Sequence, residues 1–222
     1  MESLKIENLL DVNKTIASDL FLGKTYPWEV LSSIKDFILS LGKTLSPELF
    51  DHPQEDVWIA KSATVFPSAY IAGPCIIDEG AEIRHCAFIR GSVLVGKNAV
   101  VGNSSELKNA VLFDFVQVPH YNYVGDSVLG FKSHMGAGAI TSNVKADKSL
   151  TVVHNGSLHL ETNMKKFGAI IGDFGEVGCN SVLNPATVIG RNSNVYPLSM
   201  VRGVVPEDSI YKAQGSVVVK KK

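Results

Sequence analysis

Three groups of residues carry the chemical groups most suited to binding or activating a ligand. Arg90 and Lys108 are two cations separated by 18 positions, and two cations that converge on one point can bind a phosphate. A solvated surface is the commoner explanation for such charges. His120 follows a proline and precedes Tyr121. A single histidine is more often structural, but one beside tyrosines at a corner is suited to act as a general base near neutral pH.

The third group is the run Gly136-Ala137-Gly138. Small residues would let a ligand lie against the backbone and use its N–H groups as donors. The same run also fits an ordinary tight corner, since glycine adopts left-handed backbone conformations without strain. Both interpretations stay open from these residues alone.

A repeat of six residues positions these groups. From Ile59 to Leu107 every sixth residue is aliphatic, and the residue two positions earlier is usually small. An amphipathic helix would repeat its apolar residues about every 3.6 positions and a half-buried strand about every 2. A period of six is typical of hexapeptide β-helices, in which three units form a triangular coil of roughly 18 residues. Arg90 and Lys108 would therefore lie on one face of neighbouring coils.

The repeat predicts an all-β fold, a left-handed parallel β-helix, which is an exception to the usual right-handed crossover. After one short step the period continues from Leu112 to Met135, and it resumes from Ile171 to Val201. We expect three regions in the chain. They are a helical cap and linker in residues 1–56, the β-helix in 57–204 and a C-terminal arm with a basic tail in 205–222.

Two segments depart from the repeat. Apolar residues recur every three or four positions from Trp28 to Leu41, which predicts a helix whose apolar stripe caps the open end of the prism. Residues 141–167 interrupt the period and contain the pair Asn155-Gly156. This pair predicts a β-hairpin arm that turns at those two residues. An insertion of this kind is often functional.

Composition excludes several classes of function. The 222 residues have a formal net charge of −1 and contain no long apolar run, so we expect neither a nucleic-acid partner nor a membrane span. The three cysteines, Cys75, Cys86 and Cys179, are odd in number and far apart. They indicate reduced thiols rather than a disulfide framework or a zinc site. We therefore expect a cytoplasmic protein.

The most specific feature is the ordered set Lys108, His120, Tyr123 and Asn143, within the segments 102–109, 119–126, 136–143 and 166–172. These segments resemble the acetyltransferase domain of the bifunctional glucosamine-1-phosphate acetyltransferase/N-acetylglucosamine-1-phosphate uridylyltransferases. The resemblance is closest to the archaeal-type sugar-1-phosphate nucleotidylyltransferases that carry this domain. It extends over most of the chain from about residue 26.

The resemblance implies an acetyl-CoA-dependent N-acetyltransferase that acts on an amino-sugar phosphate such as glucosamine-1-phosphate. It implies His120 as the general base. The tetrahedral oxyanion would need a donor, either a backbone N–H group or Asn143, so His120 and Asn143 are the candidate catalytic residues. The remaining implied contacts are Arg90 and Lys108 with the phosphate, Tyr123 and Asn143 with the sugar, and Ala137 and Cys179 with acetyl-CoA.

The chain departs from the pattern of this family at His134, Val144 and Cys179. We expect a homotrimer with each site between neighbouring subunits, and no uridylyl transfer, because the glycine-rich nucleotide-binding signature is absent. One alternative is a non-catalytic trimeric scaffold, or a regulatory partner of a separate sugar nucleotidylyltransferase. Another is a γ-type carbonic anhydrase. That enzyme needs three zinc-binding histidines at a corner spacing that the histidines of this chain do not show.

Overall fold

The computed structural model describes residues 1–213 and 216–219, and the expected tail of three lysines lies outside these residues. The helices are α1 (Ile6–Leu9) and α2 (Ile34–Gly42), with 3-10 turns at Glu2–Leu4, Val12–Lys14, Ser18–Phe21 and Pro27–Val30. The strands are β1 (Phe50–Gln54), β2 (Val57–Ala60), β3 (Thr64–Val65), β4 (Tyr70–Ile71), β5 (Cys75–Ile77), β6 (Glu82–Ile83), β7 (Phe88–Ile89), β8 (Val93–Val95), β9 (Val100–Asn103), β10 (Glu106–Leu112), β11 (Gln117–His120), β12 (Tyr123–Leu129), β13 (His134–Met135), β14 (Ile140–Thr141), β15 (Val152–Asn155), β16 (Leu158–Glu161), β17 (Ala169–Ile171), β18 (Glu176–Val177), β19 (Val182–Leu183), β20 (Thr187–Ile189), β21 (Asn194–Val195), β22 (Met200–Val201), β23 (Val204–Val205), β24 (Ser209–Ala213) and β25 (Ser216–Val219).

Parallel pairing between successive coils stacks most strands into three faces. Face I contains β2, β5, β8, the C-terminal halves of β10 and β12, and then β17, β20 and β23. Face II contains β3, β6, β9, β11, β13, β18, β21 and β24. Face III contains β4, β7, the N-terminal halves of β10 and β12, and then β14, β19 and β22. This is the predicted left-handed parallel β-helix.

The aliphatic residues of the repeat lie inside the prism. Ile77 pairs with Ile59 on one neighbouring coil and with Val95 on the other, and Ile77 is fully buried. Burying one such side chain contributes about 1.5–3 kcal/mol, so a column of them stabilises the stack. Val65, on the first coil, is 37% exposed because no further coil covers it.

Two shortened steps distort the corner between faces III and I. Ile77 pairs with Val95 and Val95 pairs with Leu112. The coil from Val95 to Leu112 is therefore one residue shorter than the coil from Ile77 to Val95. The step from Val124 to Leu129 is shortened in the same way. At this corner Asn109 and Asp126 adopt positive φ angles of 50° and 49°. Short polar residues tolerate this conformation better than other non-glycine residues do.

Helix α2 packs on the side of the prism. Ile34 and Ile38 are fully buried, and the helix contacts β5, β8 and β10, which are successive rungs of face I. The expectation that its apolar stripe caps the open end is therefore wrong. The lateral position buries the stripe against three coils at once, whereas the end of the prism offers one.

The helix is also shorter than its apolar periodicity predicts, because the predicted range separates into a 3-10 turn at Pro27–Val30 and helix α2. The Leu31 carbonyl accepts a hydrogen bond from Asn109 Nδ2 at 3.1 Å. In a continuous helix this carbonyl would accept the N–H of Lys35. This hydrogen bond links the segment between the two helical pieces to the β-helix.

The predicted hairpin is present as β15 and β16, but its turn is displaced by one residue. Asn155 pairs with Leu158, so the loop is Gly156–Ser157 rather than Asn155-Gly156. Gly156 has a φ angle of +60°, whereas Ser157 is not among the described residues with a positive φ angle. A turn with left-handed backbone at its first central residue alone is type II′, which requires glycine there.

The β-helix continues beyond the expected boundary at residue 204. Ile210 and Tyr211 of β24 pair in parallel with Asn194 and Val195 of β21, so β24 adds a rung to face II. The six-residue repeat does not reveal this rung because its coil is two residues short. Tyr211 takes the inward position two residues earlier than a full coil counted from Val195 would place it. β25 pairs with β24 in the antiparallel direction. Among the described residues no helix is long and apolar enough to cross a bilayer.

Asp78 makes the stability of this fold dependent on pH. Its side chain is fully buried, and only Oδ1 has a partner, the N–H of Glu79 at 2.8 Å. Burial raises the pKa of Asp78 to about 6. A pKa raised above the unfolded value means that ionisation opposes folding, so stability falls as pH rises through about 6.

We expect the Asp78→Asn variant to gain free energy of unfolding relative to the wild type as pH rises, by up to about 3 kcal/mol between about pH 4 and pH 8. Urea denaturation of both proteins at the two pH values measures this difference. The exposed Asp51, changed to Asn, serves as the control and should show no such trend. A difference between Asp78→Asn and wild type that stays constant with pH would contradict the assignment.

Candidate active site

The edge between faces II and III aligns His120, Ala137 and Cys179 on successive coils. The Gly138 N–H donates to the His120 carbonyl at 3.0 Å, and the Asn180 N–H donates to the Ala137 carbonyl at 2.8 Å. Each of the three residues therefore occupies the same position of its coil. The candidate base and the two candidate acetyl-CoA contacts lie along one edge, which we call the II/III edge.

The His120 side chain is available to a ligand. It is exposed, and its imidazole makes no hydrogen bond within residues 1–213 and 216–219. Its backbone is fixed, because the His120 N–H donates to Asn122 Oδ1 at 3.0 Å. The buried Asn122 amide in turn donates to the carbonyls of Gly136 and Ala139 at 2.8 and 3.0 Å. Asn122 is not among the predicted site residues, and its signal in the sequence is an amide in the small-residue position of the repeat.

The Gly136-Ala137-Gly138 run brings two coils into close contact. A Cβ atom on Gly136 would lie 2.8 Å from the Cys179 nitrogen and 2.9 Å from its Sγ atom. The backbone N–H groups of Ala137 and Cys179 donate to no other group in the described part of the chain. The edge therefore carries two backbone donors next to the imidazole, and this is an arrangement suited to binding a carbonyl oxygen.

A buried carboxylate organises the opposite end of face III. Asp126 is 4% exposed, and it accepts hydrogen bonds from Asn143 Nδ2 at 2.5 Å and Asn109 Nδ2 at 2.9 Å. Lys108 Nζ forms an ion pair with it at 3.3 Å. A buried charge is costly unless it is paired and hydrogen-bonded, and Asp126 has both kinds of partner. Asp126 is not among the predicted site residues, although the shortened step at this corner marks its position in the sequence.

Tyr123 and Asn143 join this network. The Asn143 Nδ2 group donates to Tyr123 Oη at 3.2 Å as well as to Asp126, so both amide hydrogens are engaged. A Cβ atom on Gly125 would lie 2.5 Å from Tyr123 Oη, and the ring therefore lies along the outer side of the strand. Burial, followed by the nearby Asp126 carboxylate, raises the pKa of Tyr123, which keeps the phenol neutral.

The two predicted catalytic residues are not hydrogen-bonded to each other. His120 precedes Tyr123 by three residues across the corner at Tyr121, whereas Asn143 lies by the far end of face III. Tyr123 is the residue that connects the two ends. Because the amide of Asn143 is occupied, the geometry favours the backbone N–H groups as donors to an oxyanion.

Arg90 and Lys108 lie in neighbouring coils of face III, since Ile89 pairs with Leu107. Each is already paired with a carboxylate. Arg90 Nη1 contacts Glu106 Oε1 at 2.7 Å, whereas Lys108 contacts Asp126. The Arg90 and Glu106 side chains are both partly exposed. A phosphate would therefore displace Glu106 from Arg90 more readily than it would displace the buried Asp126 from Lys108.

The histidines weighed for a metal centre do not converge. His134 Nδ1 contacts Glu176 Oε2 at 2.8 Å, and His85 Nδ1 contacts Ser68 Oγ at 2.8 Å. Within the described residues no three His, Cys, Asp or Glu side chains form a group that could hold a metal ion. The three cysteines are free thiols. This geometry gives no support to the carbonic anhydrase alternative.

Known proteins resemble this chain in sequence. It is 32% identical over 200 residues to the bifunctional protein GlmU of Methanococcus maripaludis, in a match that covers 89% of this chain and 48% of the relative. It is 29% identical over 206 residues to the bifunctional sugar-1-phosphate nucleotidylyltransferase/acetyltransferase of Sulfurisphaera tokodaii, covering 92% and 47%. The chain thus spans about half the length of the curated relatives it matches, and these relatives confirm the resemblance found from the segments around His120.

Among solved structures, a hexapeptide transferase family protein from Anaplasma phagocytophilum is similar with a TM-score of 0.43 and 14% identity, over 75% of this chain and 80% of that one. The sequence profile of the GMPPB C-terminal domain matches residues 71–214. The matched range contains the II/III edge, the Asp126 network and the hairpin, and it exceeds half of the chain. The chain therefore belongs to the GMPPB C-terminal domain family.

Proposed function

We propose that this chain transfers an acetyl group from acetyl-CoA to the amino group of an amino-sugar phosphate such as glucosamine-1-phosphate. The observation that carries the proposal is the unpaired imidazole of His120 in register with the unpaired N–H of Ala137, both within the described residues. A base next to an oxyanion donor is the arrangement that acyl transfer needs. The names of the relatives, which include a bifunctional sugar-1-phosphate nucleotidylyltransferase/acetyltransferase, point to the same chemistry.

His120 supplies proton transfer in the proposed mechanism. The acceptor amine binds mostly as an ammonium ion, which cannot attack, and His120 takes its proton as the nitrogen approaches the thioester carbonyl. The nitrogen–carbon bond forms, the tetrahedral oxyanion accepts the Ala137 N–H, and the carbon–sulfur bond then breaks. CoA leaves as the thiolate and receives a proton from His120, and the nitrogen releases its remaining surplus proton to water as the amide forms. General base catalysis of this kind typically contributes about 10²–10⁴-fold in rate.

Face III supplies binding of the sugar phosphate. Lys108 and Arg90 are the proposed phosphate contacts, and Tyr123 and Asn143 are the proposed sugar contacts. Asp126 touches none of the reacting atoms in this proposal and acts as a positioning residue, because it holds Lys108 and Asn143. Fixing the phosphate at this end places the amine towards His120, and such orientation lowers the barrier by removing translational and rotational freedom beforehand.

We further propose that the active unit is a trimer in which a second copy covers the II/III edge. Leu198 is 80% exposed on this edge and has φ of +60°. Exposure of an apolar side chain of this size to water costs free energy. Tyr121 is 65% exposed on the same edge. Apolar contact with a neighbouring copy offsets both costs and completes the groove beside His120.

Replacing His120 with alanine should reduce acetyl transfer by about 10²-fold or more and leave the fold intact, because the imidazole hydrogen-bonds to no other group in the described part of the chain. Thiol release from acetyl-CoA measures turnover with glucosamine-1-phosphate, galactosamine-1-phosphate, the unphosphorylated sugars and nucleotide-linked amino sugars. His52→Ala is the matched control, since His52 stacks on Trp58 away from the site.

Turnover of the His120→Ala variant at the wild-type rate would refute the assignment of the base. Silence of the wild-type protein with every acceptor, while it remains folded and trimeric, would refute the transferase proposal. That result would instead favour the scaffold or regulatory partner of a separate sugar nucleotidylyltransferase.

Replacing Asp126 with asparagine should mainly weaken binding of the phosphorylated acceptor. The change removes the carboxylate that holds Lys108 and Asn143, so we expect KM for the sugar phosphate to rise by about tenfold or more. KM for acetyl-CoA should stay within about twofold. Steady-state kinetics with both substrates test the split, and Asp51→Asn is the control. Equal losses for both substrates would indicate general unfolding rather than positioning.

Replacing Leu198 with aspartate should convert the trimer to monomers, because a charge at the centre of an apolar contact is expensive to bury. Activity should fall in parallel, since each site lacks its neighbour. Sedimentation velocity of both proteins gives the mass, and Lys35→Asp on the exposed side of α2 is the control. A wild-type protein that sediments as a monomer with full activity would overturn the trimer proposal.

A further inference from the structure

The inserted hairpin carries a pair of histidines outside the proposed active site. His154 on β15 and His159 on β16 lie directly opposite each other, and their Nδ1 atoms are 2.8 Å apart. The two-residue loop is closed by the hydrogen-bonded pair Asn155–Leu158. The next pair away from the turn, His154–His159, is therefore a non-hydrogen-bonded pair. Side chains are closest at such positions, so the backbone itself brings the two rings together.

We propose that His154 and His159 form a binding site for a divalent transition-metal ion of the zinc, copper or nickel class. Imidazole is the preferred nitrogen ligand of these ions. Zinc–nitrogen bonds of about 2.0–2.1 Å at an angle between about 90° and 110° separate the two nitrogens by about 2.9–3.4 Å. The two Nδ1 atoms are 2.8 Å apart in the structure, close to this range, so a metal replaces the hydrogen bond between them once both rings turn their nitrogen lone pairs towards the ion.

The rings are in the chemical form that binds metal. In the metal-free hairpin one Nδ1 must donate a hydrogen to the other, so at least one imidazole is neutral. Both histidines remain exposed at the surface, which leaves the other coordination positions of the ion open to water or to an additional ligand.

The charges around the pair tune its affinity. Lys145 and Arg202 line the groove beside His154, and both cations oppose a bound dication. The proposed site is therefore of moderate strength and selects ions with a strong preference for nitrogen. Copper should bind more tightly than zinc or nickel, in the usual order of affinities.

A bound ion would tie the hairpin to itself at the point where it meets the β-helix. Val153, next to His154, is fully buried, and β15 contacts β23 of face I. A Cβ atom on Gly203 would lie 2.6 Å from the His154 carbonyl. Metal occupancy therefore stiffens the inserted arm without entering the II/III edge, and the proposal does not depend on the acetyltransferase assignment.

Calorimetric titration of zinc chloride and of copper(II) chloride into the tag-free chain tests the proposal. We expect one ion per chain, with binding that weakens as pH falls, because protons compete with the ion for the imidazole nitrogens. His154→Ala and His159→Ala should each weaken binding by about tenfold or more, since each removes one of the two protein ligands. His52→Ala and His85→Ala are the matched controls and should bind as the wild type does.

Hydrogen exchange of the β15 and β16 amides separates metal binding from loss of the hairpin. Zinc should slow exchange there in the wild type, and the His159→Gln variant should keep the metal-free exchange rates but lose the zinc effect. The absence of binding in the wild type, or equal binding in both alanine variants and the wild type, would overturn the proposal.

Discussion

Stacking of each coil on the next is the interaction on which the rest of this structure depends. A strand of two or three residues cannot satisfy its own backbone hydrogen bonds, and its single aliphatic residue is buried only by the coil beside it. Register between coils is therefore strict. The column from Ile59 through Ile77 to Val95 illustrates this, because each residue covers the next.

Strict register also arranges the chemistry into columns. His120, Ala137 and Cys179 come from well-separated parts of the chain, yet they occupy one position on consecutive coils. The insertion between Ala137 and Cys179 can be long because the chain leaves the stack and rejoins it without changing the register of the next coil. Side chains and backbone N–H groups from distant segments are thus held in one row along the II/III edge by backbone pairing.

The shortened corner between faces III and I is where the repeat departs from its regular period and where the Asp126 network lies. At this shortened corner Asn109 and Asp126 have left-handed backbone, and the Asp126 side chain is buried. The buried charge then recruits Lys108, Asn143 and Asn109. The N-terminal segment is attached at the same place through Leu31, so one corner joins the cap, the β-helix and the proposed sugar site.

The six-residue repeat and its interruption predict the β-helix, its period, the inserted hairpin and the alignment of Arg90 with Lys108. All of these follow from local spacing, which a regular stack converts directly into position. Tertiary contacts set the side-on packing of α2, the displaced hairpin turn and the rung formed by β24. They also bring the Asp126 carboxylate to Lys108 and Asn143. These outcomes depend on competition between distant partners for the same groups and the same buried surface, and the spacing of residues along a chain does not record that competition.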